Sequence, residues 1–223
     1  KHLIDKSTLN HFKVYPCQTI WINNQPIYKH DNNDPAYAYY FGKNGNGKNL
    51  VKVYFPFRKP KTKGKSRWIS NTDIIQGINQ IHKAEIGIIT KSYKDVMSIY
   101  KLCKGKYDIC AIAPSSENTP IRADDMKFIN SYFTHTFSLM DFDFTGVKMA
   151  WQLRKLYGIT PLFLTNGKKG SKVDFGSKDF SDFIATNGAD KTYELIDKFI
   201  AYFKTNYLYH QQIINNNSKI EFI

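Results

Sequence analysis

Apolar residues change their spacing along the chain near residue 84. Before it lie two aromatic-rich runs, AYAYYF (36–41) and LVKVYFPF (50–57), separated by GKNGNGK. Alternating apolar runs around a Gly/Asn-rich break predict a strand, a turn and an antiparallel return. After residue 84 short apolar runs alternate with segments of helical spacing. EIGIIT precedes a helix with Val96, Ile99, Tyr100 and Cys103 on one face, and YDICAIA precedes a helix around Asp125 to Tyr132. FSLM leads through DFDFTG into a helix burying Val147, Ala150, Leu153 and Tyr157, and PLFLT is followed by a polar loop. A long helix then carries Leu195, Ile196, Phe199, Ile200, Phe203 and Tyr207, and the tail HQQIINNNSKIEFI reads as loosely held. Strand and helix in alternation predict a parallel sheet covered on both faces. The fold class expected is α/β: residues 85–223 form a parallel sheet flanked by helices, and residues 1–84 a smaller, mostly β, basic subdomain.

Composition fits a globular chain of 223 residues, 42% hydrophobic, with no apolar run long enough to span a membrane. The first residues, KHLIDKSTLN, lack the apolar stretch of a signal peptide, so a soluble, cytoplasmic protein is expected. The chain does not start with Met, as expected of a piece of a longer protein. Cys17, Cys103 and Cys110 have no CxxC spacing, which argues against a zinc module or a disulfide framework. Net charge is +13, from 32 basic and 19 acidic residues, and favours a polyanionic partner, nucleic acid first. An AT-rich genome also raises lysine content, so clustering must decide. The basic residues cluster in RKPKTKGKSRW: Arg58, Lys59, Lys61, Lys63, Lys65 and Arg67, followed by Trp68, which could stack on a base. A solvated loop is the alternative.

Two acidic groups are candidates for metal chemistry. Asp141 and Asp143 follow FSLM, and in an extended segment residues i and i+2 project the same way. Two carboxylates about 4 Å apart repel by roughly 4 kcal/mol at an effective dielectric of 20, which calls for a cation between them. Mg²⁺ suits carboxylate oxygens and keeps waters that a phosphate can displace. The alternative makes Asp141 a solvated strand end and Asp143 a helix cap. Asp179 and Asp182 of SKDFSD share a face if a helix starts there, with Lys178 beside them to meet a phosphate; a plain helix N-terminus is the other reading. ITKSYKD places Lys91 and Ser92 in the turn after a strand, where α/β proteins bind ligands.

Four ordered segments, ITKSYKD, IAPSSEN, DFDFTGVK and KDFSDFI, resemble the TOPRIM domain of DNA primases of the bacterial and phage type. VKVYFPF, RWISN and QGINQI resemble the basic subdomain that precedes TOPRIM in those enzymes, and matching segments run from about Tyr37 to Ile184. The resemblance implies a nucleotidyltransferase that makes short RNA primers on single-stranded DNA from nucleoside triphosphates. It implies Mg²⁺ or Mn²⁺ held by Asp141, Asp143, Asp179 and Asp182, with Asp141, Asp143 and Asp179 catalytic. Lys52, the basic loop, Trp68, Ser92 and Lys178 would grip template, RNA–DNA hybrid or nucleotide. A replicative helicase is the partner implied, and any template-reading zinc module lies outside this chain. The family's catalytic glutamate falls on Lys91, an ammonium that cannot ligate a metal but can bind phosphate. Asp95 or Glu117 could return the missing carboxylate. A TOPRIM nuclease and a catalytically silent strand-binding module remain alternatives; a topoisomerase would need a tyrosine-bearing second domain.

Overall fold

The structure, a computed structural model, describes residues 3–58, 66–116, 119–164, 177 and 179–207. Lys59, Lys61, Lys63, Lys65, Glu117 and Lys178 lie outside the described residues. A short helix, α1 (Lys6–His11), opens the chain, capped by the Asp5 carboxylate accepting from Thr8 N–H. Strands β1 (Val14–Pro16), β2 (Thr19–Ile22), β3 (Gln25–Lys29), β4 (Tyr37–Lys43), β5 (Asn49–Tyr54) and β6 (Trp68–Ser70) follow. Antiparallel pairing orders them β1-β4-β5-β6, and β2-β3 form a separate hairpin. The GKNGNGK turn joins β4 to β5 as its Gly and Asn content predicts, with a register shift before Gly42 at φ +109°.

Beyond residue 84 the predicted alternation is realised. Strands β7 (Ala84–Thr90), β8 (Ile109–Ile112), β9 (Phe133–Leu139) and β10 (Thr160–Leu162) form a parallel sheet in the order β10-β9-β7-β8. They alternate with α2 (Tyr93–Cys103), α3 (Ala123–Asn130), α4 (Phe144–Tyr157) and α5 (Phe180–Tyr202), the last interrupted at Gly188. Side chains alternate faces along β7. Ile86 and Ile88 join α2 and α5 in one core cluster, and Ile89 joins α3 and α4 in another. On β7, Gly87 leaves room for the Phe133 ring, which an added Cβ would meet at 2.0 Å.

Residue 84 divides the two sheets, but the largest core cluster draws on both sides of it. Phe12, Val14, Tyr39 and Phe41 of the antiparallel part pack with Val96, Met97 and Ile99 of α2. Tyr93 is the hub: its ring lies 5.4 Å from Phe12 and 5.1 Å from Tyr39, and its hydroxyl donates to the Phe12 carbonyl at 3.0 Å. Full burial of such a side chain contributes about 1.5–3 kcal/mol. The basic subdomain is thereby fixed against the helix that opens the parallel sheet's first loop. None of the described helices is long and apolar enough to cross a membrane.

Candidate functional site

Connections from neighbouring strands diverge at the carboxyl edge of the parallel sheet. The chain leaves β7 through α2 towards β8, and leaves the adjacent β9 through α4 towards β10 on the other side. Such a switch point opens a crevice beyond the strand ends. Thr90 pairs with Leu139, so the two strands finish level, and Lys91 and Asp141 emerge side by side. The Lys91 ammonium donates to the Asp141 carboxylate.

A cleft of about 560 Å³ lies in front of this pair. Lys52, Trp68, Ser70 and Thr72 of the antiparallel subdomain line one wall. Lys91 and Ser92 after β7, and Ser115, Ser116 and Thr119 after β8, line the other. Lys52 spans the two: its ammonium lies 4.4 Å from the Trp68 ring centroid and donates to the Ser115 carbonyl at 2.6 Å. Tyr54 backs Trp68 in a stacked pair with centroids 4.2 Å apart, and Arg67 sits over Tyr54. Buried Gln76 anchors the base, pairing its backbone with Ala113 and donating its amide to the Pro114 carbonyl. Cations, hydroxyls and an indole 38% exposed suit a ligand with phosphates and a flat ring.

Four residues expected at the site, Lys52, Trp68, Lys91 and Ser92, are therefore brought together. The hydroxyls of Ser70, Thr72, Ser115, Ser116 and Thr119 were missed. Their one sequence signal was PSSEN directly after an apolar strand candidate. Arg58 faces elsewhere. Its guanidinium takes Asp34 through Nε at 3.0 Å and Nη2 at 2.7 Å and stacks over Phe55, so it ties its loop to the subdomain instead of reaching the cleft. Arg67 likewise donates to the Tyr54 hydroxyl at 3.1 Å and supports the aromatic pair.

The carboxylates occupy different environments. Strand β9 ends at Leu139 and the chain bends at Phe142 and Asp143, so the extended i, i+2 geometry expected for Asp141 and Asp143 does not hold. Asp141 is fully buried; Asp143 is exposed and caps α4, accepting from Gly146 N–H at 2.9 Å. Asp179 caps α5 through the Asp182 N–H at 2.7 Å, and Asp182 pairs with Lys94 at 3.5 Å. Asp95 is buried and accepts from the Ser92 hydroxyl at 2.6 Å and the Ser181 N–H at 3.0 Å, joining α2 to the start of α5. Ser92 is at once the cap of α2 and a wall of the cleft.

Electrostatics tie these groups together. Burial pushes the Asp141 carboxyl up to about 7; Lys91 pulls it down, and Asp179 and Asp95 push it further up. Burial raises Asp95 too, with Asp179 adding to the effect. For Lys94, burial opposes the charge, but Asp179, Asp95 and Asp182 together outweigh it and raise its pKa.

A divalent ion is the cofactor the sequence implies, and the donor chemistry, oxygen from carboxylates, suits one. The arrangement does not. Asp141 is held by Lys91, Asp143 and Asp179 each engage one oxygen in a cap, and Asp182 meets Lys94. Among the described residues no group of three or more His, Cys, Asp or Glu side chains is gathered to hold a metal. The expected set of Asp141, Asp143, Asp179 and Asp182 is dispersed here, because each carboxylate serves a cap or a local ammonium.

The parallel sheet with its antiparallel basic subdomain is the fold of bacterial and phage primase catalytic cores. The primase fragment of the bacteriophage T7 primase-helicase protein superposes with a TM-score of 0.57 at 13% identity, over 86% of this chain and 70% of that one. The Aquifex aeolicus primase, zinc-binding and RNA polymerase domains, gives 0.55 at 12% identity, over 95% of this chain and 58% of that one. A DnaG primase catalytic domain bound to single-stranded DNA gives 0.55 at 10% identity, over 88% of this chain and 68% of that one. The chain thus spans less than two thirds of the Aquifex structure's length. No protein-family model matches the chain, and no curated protein sequence does.

Proposed function

We propose that this chain is the catalytic core of a DNA primase, a nucleotidyltransferase that copies single-stranded DNA into short RNA primers from nucleoside triphosphates. One observation carries the reading: the switch-point cleft, in a primase-core fold, joins Lys52 and Trp68 on one wall to Lys91 and Ser92 on the other. Trp68 offers an indole face on which a base can stack, stiffened from behind by Tyr54. Lys52 and Lys91 neutralise phosphate oxygens, and Ser115, Ser116 and Thr119 supply hydroxyls to fix their orientation. With base and phosphates so held, the 3′-hydroxyl of the preceding nucleotide can attack the α-phosphorus, and the two ammoniums stabilise charge as pyrophosphate departs. Asp141 holds Lys91 at the wall. Single-stranded template and RNA–DNA hybrid are the partners this assigns, and a helicase fits the T7 relative, whose name is primase-helicase protein.

A second reading is a strand-binding module without catalysis. The Lys91–Asp141 pair favours it, since an ammonium stands where the resemblance implies a glutamate. The deciding experiment incubates the chain with mixed-sequence single-stranded DNA and labelled ribonucleoside triphosphates. Primers lost in Lys52→Ala, Trp68→Ala and Asp141→Ala, with DNA affinity kept in Asp141→Ala, support the primase. Binding without any product supports the module, and cut DNA without added nucleotides would point to a nuclease.

A further inference from the structure

The ion pair at the switch point suggests how the cleft and the buried carboxylate communicate. Asp141 has no exposed surface, whereas the Lys91 side chain is 18% exposed and also lines the cleft. The two partners differ in mobility. Asp141 is pinned from behind: a Cβ on Gly146 would lie 2.2 Å from its carbonyl oxygen, so the first turn of α4 packs directly on its backbone. Lys91 follows the last residue of β7 and carries its ammonium on a four-carbon stem of rotatable bonds. Only the lysine can move.

We propose that Lys91 is a resident counter-cation that closes Asp141 to divalent ions in the nucleotide-free protein, and that triphosphate in the cleft draws it away and uncovers the carboxylate. This rests on reading the cleft as a triphosphate site. An ammonium has three donors and no acceptor, so on Asp141 it repels a second cation and cannot share one. Phosphate oxygens are the competing acceptors for the same charge, and Lys52, Ser92 and Ser115 stand beside Lys91 in the same cleft to receive them. The dispersal of the carboxylates then belongs to the protein without nucleotide and not to the loaded one. Linkage makes the coupling reciprocal: whatever opens Asp141 to a cation also turns Lys91 towards phosphate.

Two binding measurements on the full chain test this, and neither uses primer synthesis. Mn²⁺ alone, followed through its free-ion electron paramagnetic resonance signal, should bind Lys91→Gln about tenfold more tightly than the unaltered protein, a factor of about 1.4 kcal/mol. Adding Asp141→Asn to that variant should abolish the gain. Metal-free binding of a non-hydrolysable ATP analogue should weaken in Lys91→Gln and strengthen in Asp141→Asn, whose amide no longer competes for the ammonium. Equal Mn²⁺ affinity of Lys91→Gln and the unaltered protein, or an unchanged or weaker analogue affinity in Asp141→Asn, overturns the proposal. Should Lys91→Gln fail to fold, the analogue affinity of Asp141→Asn decides alone. If both shifts occur but no primers form, the primase reading fails and the counter-cation stands; primers without the shifts reverse that outcome.

Discussion

Gly146 explains the last letter of DFDFTG. Its missing side chain lets the first turn of α4 lie on the Asp141 backbone, where a Cβ would also meet the carbonyl carbon at 2.9 Å. Gly146→Ala must push the helix off the strand end, an overpacking cost of about 1–3 kcal/mol. Thermal melting should show it as a Tm lower by several degrees; an unchanged Tm would mean that the turn relaxes freely. Asp141 itself gives a pH signature. Its folded carboxyl, at about 7, lies above the ordinary value for aspartate, so the native state binds that proton more tightly than the unfolded chain. The stability it contributes is complete below the ordinary aspartate range and is lost as pH rises through about 7. Denaturant unfolding across that window should show the unaltered protein losing stability relative to Asp141→Asn as pH increases. Parallel pH profiles for the two proteins would remove the buried, shifted carboxyl from the picture.

Among the elements, α2 and α5 depend on a buried carboxylate between them. Asp95 satisfies the Ser181 N–H at the start of α5 and holds the Ser92 hydroxyl at the start of α2. Asp95→Ala leaves a buried N–H without its acceptor, at a cost of about 1–3 kcal/mol. Asp143, exposed on its cap, should lose only about 1 kcal/mol as Asp143→Ala. Denaturant midpoints for the two variants measure the difference directly, and equal losses would contradict the bridging role of Asp95. The same bridge fixes Ser92, so Asp95→Ala should also weaken nucleotide binding at the cleft, although it does not line that cleft.

For the whole molecule, the docking of the antiparallel sheet on α2 through Tyr93 sets the width of the cleft, because one wall comes from each side of residue 84. The surplus of basic over acidic residues acts at this scale as well. If Lys52, Arg67 and Lys91 meet phosphates of a single strand, they contribute about −2 to the slope of log affinity against log salt, at about −0.7 per contact. Five contacts, as the basic loop suggests, would give about −3.5. Lys52→Ala should therefore flatten the slope measured by fluorescence anisotropy by about 0.7. A slope that does not change places the strand elsewhere on the surface.

The order of strands and helices after residue 84 was legible in the chain, because short apolar runs and 3.6-residue periodicity are local and the core demands them. The β4–β5 hairpin was legible too, from the Gly and Asn residues between its strands. Lys52, Trp68, Lys91 and Ser92 could be picked out by residue type and by their position at strand ends. Local pattern could not say what each charge would meet. Asp34 lies 24 residues from Arg58, and only packing turns that cation into a tie within the subdomain. Asp141 and Asp143 are two residues apart, yet one is buried against Lys91 and the other caps a helix in solvent, because the strand ends early and the chain bends. The residues that could carry chemistry were written in the sequence. Which of them share a cleft, and which neutralise one another, was decided by a sheet that brings Lys91 and Asp141, 50 positions apart, to the same edge.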